Sequence, residues 1–127
     1  MTTRAKPWVN LTCLGLGAIM LVFGVWAFAW PHSFFDVVGY FPPYNRHYTH
    51  DGGTLQVGVG VSLVLAALGC SARTTALGGF VAFEGLHVVS HSIDHDLGGT
   101  PIRDIPFLVV LVLAGVGALV APARKGQ

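Results

Sequence analysis

The chain has 127 residues, and its seven Lys and Arg against six Asp and Glu leave a formal net charge of +1. Hydrophobic residues make up 53% and charged residues only 10%, where an ordinary soluble domain carries about 25%. These figures argue against a soluble domain of common composition and a disordered tail, and they leave no basic surplus for nucleic acid; a single membrane domain over residues 1–127 is expected.

A membrane-spanning helix needs about 20 mostly apolar residues. The first such stretch, residues 9–30, contains no charge. Arg4 and Lys6 precede it, and Ala27-Phe28-Ala29 looks like a signal-peptidase site. The apolar run exceeds the 7–15 residues of a signal core, and Trp26 and Trp30 suit interface anchors, so an uncleaved helix is expected. Residues 31–52 then form a connector rich in aromatics: Phe34, Phe35, Tyr40, Phe41, Tyr44 and Tyr48. The second span is residues 53–70. Gly58, Ser62, Ala66 and Cys70 recur there every four positions, the spacing of a small-residue packing seam. Residues 75–95 and 105–121 give the third and fourth spans, separated by short polar connectors at 71–74 and 97–104. Four spans with short loops predict an all-α, integral membrane four-helix bundle.

Basic residues set the orientation. With the N-terminus inside, Arg4, Lys6, Arg73, Arg124 and Lys125 are cytoplasmic, and only Arg46 and Arg103 lie outside. Both termini are therefore expected in the cytoplasm, in a multi-pass protein of the plasma membrane. Cys13 and Cys70 then sit near the inner ends of their helices and read as small apolar residues rather than a disulfide.

In this topology all six His and all six acidic residues fall from the membrane midplane outward. The third span concentrates them as Glu84-Gly85-Leu86-His87-Val88-Val89-Ser90-His91-Ser92-Ile93-Asp94-His95. At about 100° per residue, Glu84, His87, His91, Asp94 and His95 share an arc of roughly 100°, with Leu86, Val89 and Ile93 opposite. The polar arc should face the bundle. Glu84 lies roughly 16 Å below His95, near the middle of the bilayer. An ionised, unpaired carboxylate there costs at least about 2.5–3.5 kcal/mol, and an intramembrane acid is a functional candidate by default. A structural hydrogen bond to His87 is the bland alternative.

A second group, His47, His50 and Asp51, follows the helix-start signals Pro42-Pro43 and Asn45. If a helix begins there, these three share one face at i, i+3 and i+4. The short inner loop makes the second and third spans antiparallel neighbours, so the two groups have the opportunity to converge. The set His47, His50, Asp51, Glu84, His87, His91, Asp94 and His95 is the candidate metal site. Imidazole with carboxylate suits Zn, Fe or Mn. Glu84 is the one Glu in the chain, which disfavours a di-iron centre. Haem held by His87 or His91 with His50 is a weaker reading. Proton binding along the Glu84–His95 ladder is a further one. The alternative to all of these is a polar seam in a structural subunit, partnered by a second copy or a larger membrane complex within the lipid bilayer. His50-Asp51-Gly52-Gly53-Thr54 also echoes His95-Asp96-Leu97-Gly98-Gly99-Thr100, a faint sign of a two-plus-two repeat.

The layout as a whole has a familiar form. A span ends in Trp30-Pro31, and an aromatic loop carries Phe41-Pro42-Pro43-Tyr44-Asn45 and then His50-Asp51-Gly52-Gly53. Leu55-Gln56-Val57-Gly58-Val59-Gly60 follows, and the third span ends in a His-rich stretch with Asp96 and Gly98-Gly99. From about residue 14 to 121 this resembles the DoxX-like group of small four-helix membrane proteins, including the DUF4345-type proteins of actinobacteria. The resemblance implies the four-helix membrane fold and, as for some relatives, a role as a small subunit of a quinone-linked oxidoreductase. It brings no residue roles with it.

Overall fold

The computed structural model describes residues 6–69 and 72–122. Arg4, Cys70, Arg124 and Lys125 lie outside the described residues. The described chain is all-α, with no strand, and its elements are α1 (Pro7–Ala29), α2 (Pro31–Val37), α3 (Arg46–Ala67), α4 (Arg73–Ile93) and α5 (Pro101–Leu119). The expected four long helices are present, and a fifth, short one stands where the sequence suggested only a loop. Its origin is local. Pro31 cannot continue α1, and Trp30 before it leaves helical backbone at φ −132°, ψ 63°. Pro31 is then well placed as the first residue of a new helix. The Trp26 indole N–H donates to Ser33 Oγ at 3.2 Å, and the Phe34 ring stands edge-on to Trp26, which folds α2 back on α1.

The second long helix begins seven residues earlier than residue 53. Asn45 is its cap: Oδ1 accepts from the N–H groups of His47 and Tyr48 at 3.0 and 3.2 Å. At its other end Leu68 and Gly69 leave the helix, with Gly69 at φ +103°. The Arg73 guanidinium donates to the Ala66 carbonyl there at 3.4 Å. The third long helix stops at Ile93, two residues short of expectation, so His95 is beyond it. In α5, Asp104 Oδ2 accepts the Thr100 N–H at 2.7 Å and holds the helix start.

Two pairs of helices organise the bundle: α1 against α3, and α4 against α5, with α3 and α4 in looser contact. The α1–α3 contact is made by glycine. A Cβ at Gly17 would stand 3.0 Å from the Gly60 carbonyl oxygen, and one at Gly60 would stand 3.0 Å from that of Gly17. Gly24 and Gly53 repeat the reciprocal contact at 2.9 and 2.8 Å. The pairs 17/60 and 24/53 run in opposite directions along the two helices, so the helices are antiparallel and their backbones touch. This corrects the expected seam. Gly58 and Ser62 are exposed, a Cβ at Gly58 would meet nothing within 4 Å, and Cys70 is outside the described residues. The seam follows a seven-residue step because 17 and 24, like 53 and 60, lie two helical turns apart.

The apolar core fills the end of the bundle that carries the α3–α4 turn. Val9, Cys13, Leu16 and Met20 pack there with Leu63, Ala67, Leu77, Phe80, Leu111 and Ala118. Phe80 lies on Gly115, where a Cβ would come within 2.8 Å of its ring. The helix surfaces are apolar too. Leu11, Val22, Leu68, Leu86, Ile93, Val110 and Leu113 are all more than three-fifths exposed, at 62–71%. Of the long helices, α1 and α5 are both long and apolar enough to cross a membrane; α3 and α4 have the length but carry more polar side chains.

The glycine seam makes a direct prediction. Gly60→Ala should destabilise by about 1–3 kcal/mol, because its methyl meets backbone that cannot yield. Gly58→Ala should be neutral or stabilising by up to about 1 kcal/mol, since its site is open and Gly is a poor helix former. Thermal unfolding in detergent checks both.

Candidate functional site

At the other end the bundle is hollow. A cavity of about 870 Å³ lies between α1, α2, α3, α4 and α5. Such a volume is in the range of small-molecule sites. Its walls are mostly apolar: Phe23, Phe34, Phe41 and Phe107 supply rings, and Met20, Leu108 and Leu111 separate it from the packed core. Phe23 ties the aromatic wall together, with ring centroids 6.3 Å from Phe34 and 6.0 Å from Phe107.

The mouth is roofed by the chain after α2. Arg103 fixes this strap. Its Nη1 and Nη2 donate to the carbonyls of Val37 and Val38, both at 3.2 Å, and its Nε donates to Asp104 Oδ1 at 2.6 Å. The Gly99 N–H donates to the Tyr40 carbonyl at 2.6 Å. Gly98 and Gly99 are required here. A Cβ at Gly98 would collide with the Tyr40 carbonyl oxygen, and Gly99 has φ +70° with the Phe41 ring 3.0 Å from its Cβ position.

Three polar groups of α4 enter the cavity: Glu84, His87 and His91. Glu84 is fully buried, and neither carboxylate oxygen has a hydrogen-bond partner. His87 Nδ1 stands 3.4 Å from Glu84 Oε2, within ion-pair range but not aligned for a hydrogen bond, so Nδ1 is unpartnered as well. His91 stacks edge-on to His87 with centroids 4.8 Å apart, and Phe41 stands edge-on to His91 at 5.3 Å. Gln56 adds a third unpartnered acceptor, its Oε1, from α3. Asp104, by contrast, is satisfied by Arg103 and by the Thr100 N–H.

The polar arc of α4 therefore turns inward as its spacing predicts, with Leu86, Val89 and Ile93 exposed on the other side. The arc divides at the helix end. Asp94 accepts from the Ser90 hydroxyl at 3.5 Å, and His95 bonds the Ser92 carbonyl at 3.2 Å; neither lines the cavity. The second group does not join the first. His47 pairs with Asp51 at 3.5 Å on an exposed face, and His50 packs on Phe28 with centroids 5.1 Å apart. The reason is the rotation of α3. Gly53 and Gly60 must face α1, which turns Tyr48, Thr49, Gly52 and Gln56 to the cavity and leaves His47, His50 and Asp51 outside it. The haem reading thus has no His50 opposite His87 or His91. Among the described residues no group of three or more His, Cys, Asp or Glu is placed to hold a metal ion.

Sequence reasoning passed over Gln56 and Arg103. Gln56 carried a signal, being the lone amide in an otherwise apolar stretch of α3. Arg103 carried none, since its partners are backbone carbonyls more than sixty positions away. Comparison with protein-family models, with curated proteins and with solved structures returned no match.

A carboxyl group buried without donors opposes folding. Glu84→Leu should therefore raise stability, by about 1–3 kcal/mol, as measured by thermal unfolding in detergent. A fall of similar size would show that Glu84 is a structural hydrogen-bonding residue.

Proposed function

We propose that the protein is a multi-pass membrane protein with α1, α3, α4 and α5 across the bilayer and both termini in the cytoplasm. Its role is to bind a small, mostly apolar molecule in the cavity, with one polar group held at Glu84 and His87. The apolar outward faces of the four long helices support the membrane placement, because soluble monomers seldom expose so much continuous apolar surface. The basic residues support the orientation.

One observation carries the binding role: a fully buried carboxylate, unpartnered at both oxygens, faces an apolar cavity of small-molecule size. A bundle built only for packing gains nothing from either feature. The hollow forfeits dispersion contacts, and the acid costs desolvation. Both features serve a ligand that fills the space and completes the hydrogen bonds. The Glu84–His87 pair is also a place to hold or pass a proton to such a molecule. The expected Zn, Fe or Mn has no comparable support, given the dispersal of the outer His and Asp side chains.

The test uses the open position at Gly52. Gly52 lines the cavity, and a Cβ there meets nothing within 4 Å, so a large side chain can occupy the hollow without touching the glycine seam. In lipid nanodiscs, 1-pyrenebutanol should draw energy transfer from Trp26, which packs on the cavity residues Phe23 and Phe34. Trp8→Phe and Trp30→Phe leave Trp26 as the sole donor. Gly52→Phe should abolish the transfer while preserving helicity. Equal transfer with and without Gly52→Phe would refute a cavity site.

A further inference from the structure

We infer that the cavity's ligand is a protonated amine on an aromatic or apolar body; this rests on the binding role proposed above and names the head group that the site accepts.

The charge at the cavity wall is the first ground. The ionisable acids and bases facing it are Glu84, Asp104 and Arg103, together with the imidazoles of His87 and His91. Arg103 and Asp104 neutralise one another through a 2.6 Å contact, and both have their remaining bonds within the protein. Among the described residues no Lys or Arg pairs with the Glu84 carboxylate, whose one ion-pair contact is His87 Nδ1 at 3.4 Å. A buried carboxylate is stabilised by an opposite charge that also hydrogen-bonds to it.

The second ground is the direction of the missing hydrogen bonds. The unpartnered oxygens in the cavity are Glu84 Oε1, Glu84 Oε2 and Gln56 Oε1, and all three are acceptors. His87 Nδ1 takes either role according to its tautomer. The buried groups left unpartnered thus call for donors. An ammonium group brings up to three N–H donors and a positive charge, whereas a hydroxyl brings one donor and no charge. A carboxylate brings none and is repelled by Glu84. A ketone offers only another acceptor.

The third ground is the wall itself. Phe23, Phe34, Phe41 and Phe107 offer ring faces and edges that suit an apolar body, and aromatic faces attract a cation. The volume of about 870 Å³ matches a molecule of drug size.

Three probes that share a body and differ in the head separate the possibilities: 1-pyrenebutylamine, 1-pyrenebutanol and 1-pyrenebutanoate. Each is titrated into nanodiscs holding the full chain with Trp26 as the sole tryptophan, and the signal abolished by Gly52→Phe is taken as cavity binding. The amine should bind at least about tenfold tighter than the alcohol, and the carboxylate should give no cavity signal. Glu84→Gln should erase the amine's advantage over the alcohol, with retained helicity by circular dichroism showing that the variant folds. Gln56→Leu should weaken the amine by a smaller factor. An alcohol that binds as tightly as the amine, or an amine indifferent to Glu84→Gln, would overturn the amine assignment and leave the cavity role standing. No Gly52→Phe-sensitive signal from any of the three probes would overturn both.

Discussion

The fold depends on one contact: the backbones of α1 and α3 touch at Gly17–Gly60 and Gly24–Gly53. The membrane placement proposed above gives this contact more weight, because apolar side chains gain little by leaving lipid for a helix surface, whereas close backbone approach and dispersion still hold helices together. Two glycines on each helix, seven residues apart, allow that approach over two turns. The contact also fixes rotation. Once Gly53 and Gly60 face α1, every other residue of α3 has its direction assigned. Gln56 and Thr49 are turned to the interior and His50 to the Phe28 ring.

The same contact explains why the bundle is solid at one end and hollow at the other. Past Gly17 toward the α3–α4 turn, large side chains such as Leu63, Leu77 and Phe80 fill the space between the two helix pairs. Toward the opposite end α1 and α3 stay in contact through Gly24 and Gly53, but the facing positions of α4 are taken by Glu84, His87 and His91. These polar side chains do not pack like leucine. The chain between α2 and α3 closes the gap from above, held by Arg103 and by the close approach at Gly98 and Gly99. The cavity is thus a consequence of sequence at three separate places and has no single local cause.

This division accounts for what the sequence disclosed. Helix number and length follow from apolar runs, and the inward arc of α4 follows from the 3.6-residue period; both are local, additive properties. The Asn45 cap was legible for the same reason. The partner of a small-residue stripe was not, because Gly53/Gly60 and Gly58/Ser62/Ala66 are both acceptable seams on α3 until α1 supplies a matching pair at the right spacing. Convergence of the two His groups depended on that choice and failed with it. The echo between residues 50–54 and 95–100 dissolves in the same way. The first lies inside α3, and the second forms the turn that receives Tyr40 and Phe41. Likewise α2 was hidden because Pro31 stops one helix and starts another, and composition alone registers only the stop.

Glu84 is where stability and use part company. Other charged side chains near the hollow end have partners within the chain: Asp104 in Arg103 and the Thr100 N–H, and His32 in Asp36 at 2.9 Å. The exposed pair has water as well, and so little depends on it. Glu84 is fully buried with no hydrogen-bond donor from the chain, its one close basic group being His87 Nδ1 at 3.4 Å, and Gln56 Oε1 is unpartnered as well. A helix face of this kind is stable only because the packed half of the bundle, anchored by the glycine contacts, tolerates the loss. The solid end is what allows the hollow end to keep an unsatisfied acid, and the unsatisfied acid gives the hollow end a chemical preference. Without Glu84 the inner polar groups of the cavity would be the imidazoles of His87 and His91 and the Gln56 amide; Glu84 adds the acid on which the proposed preference for donors and positive charge rests.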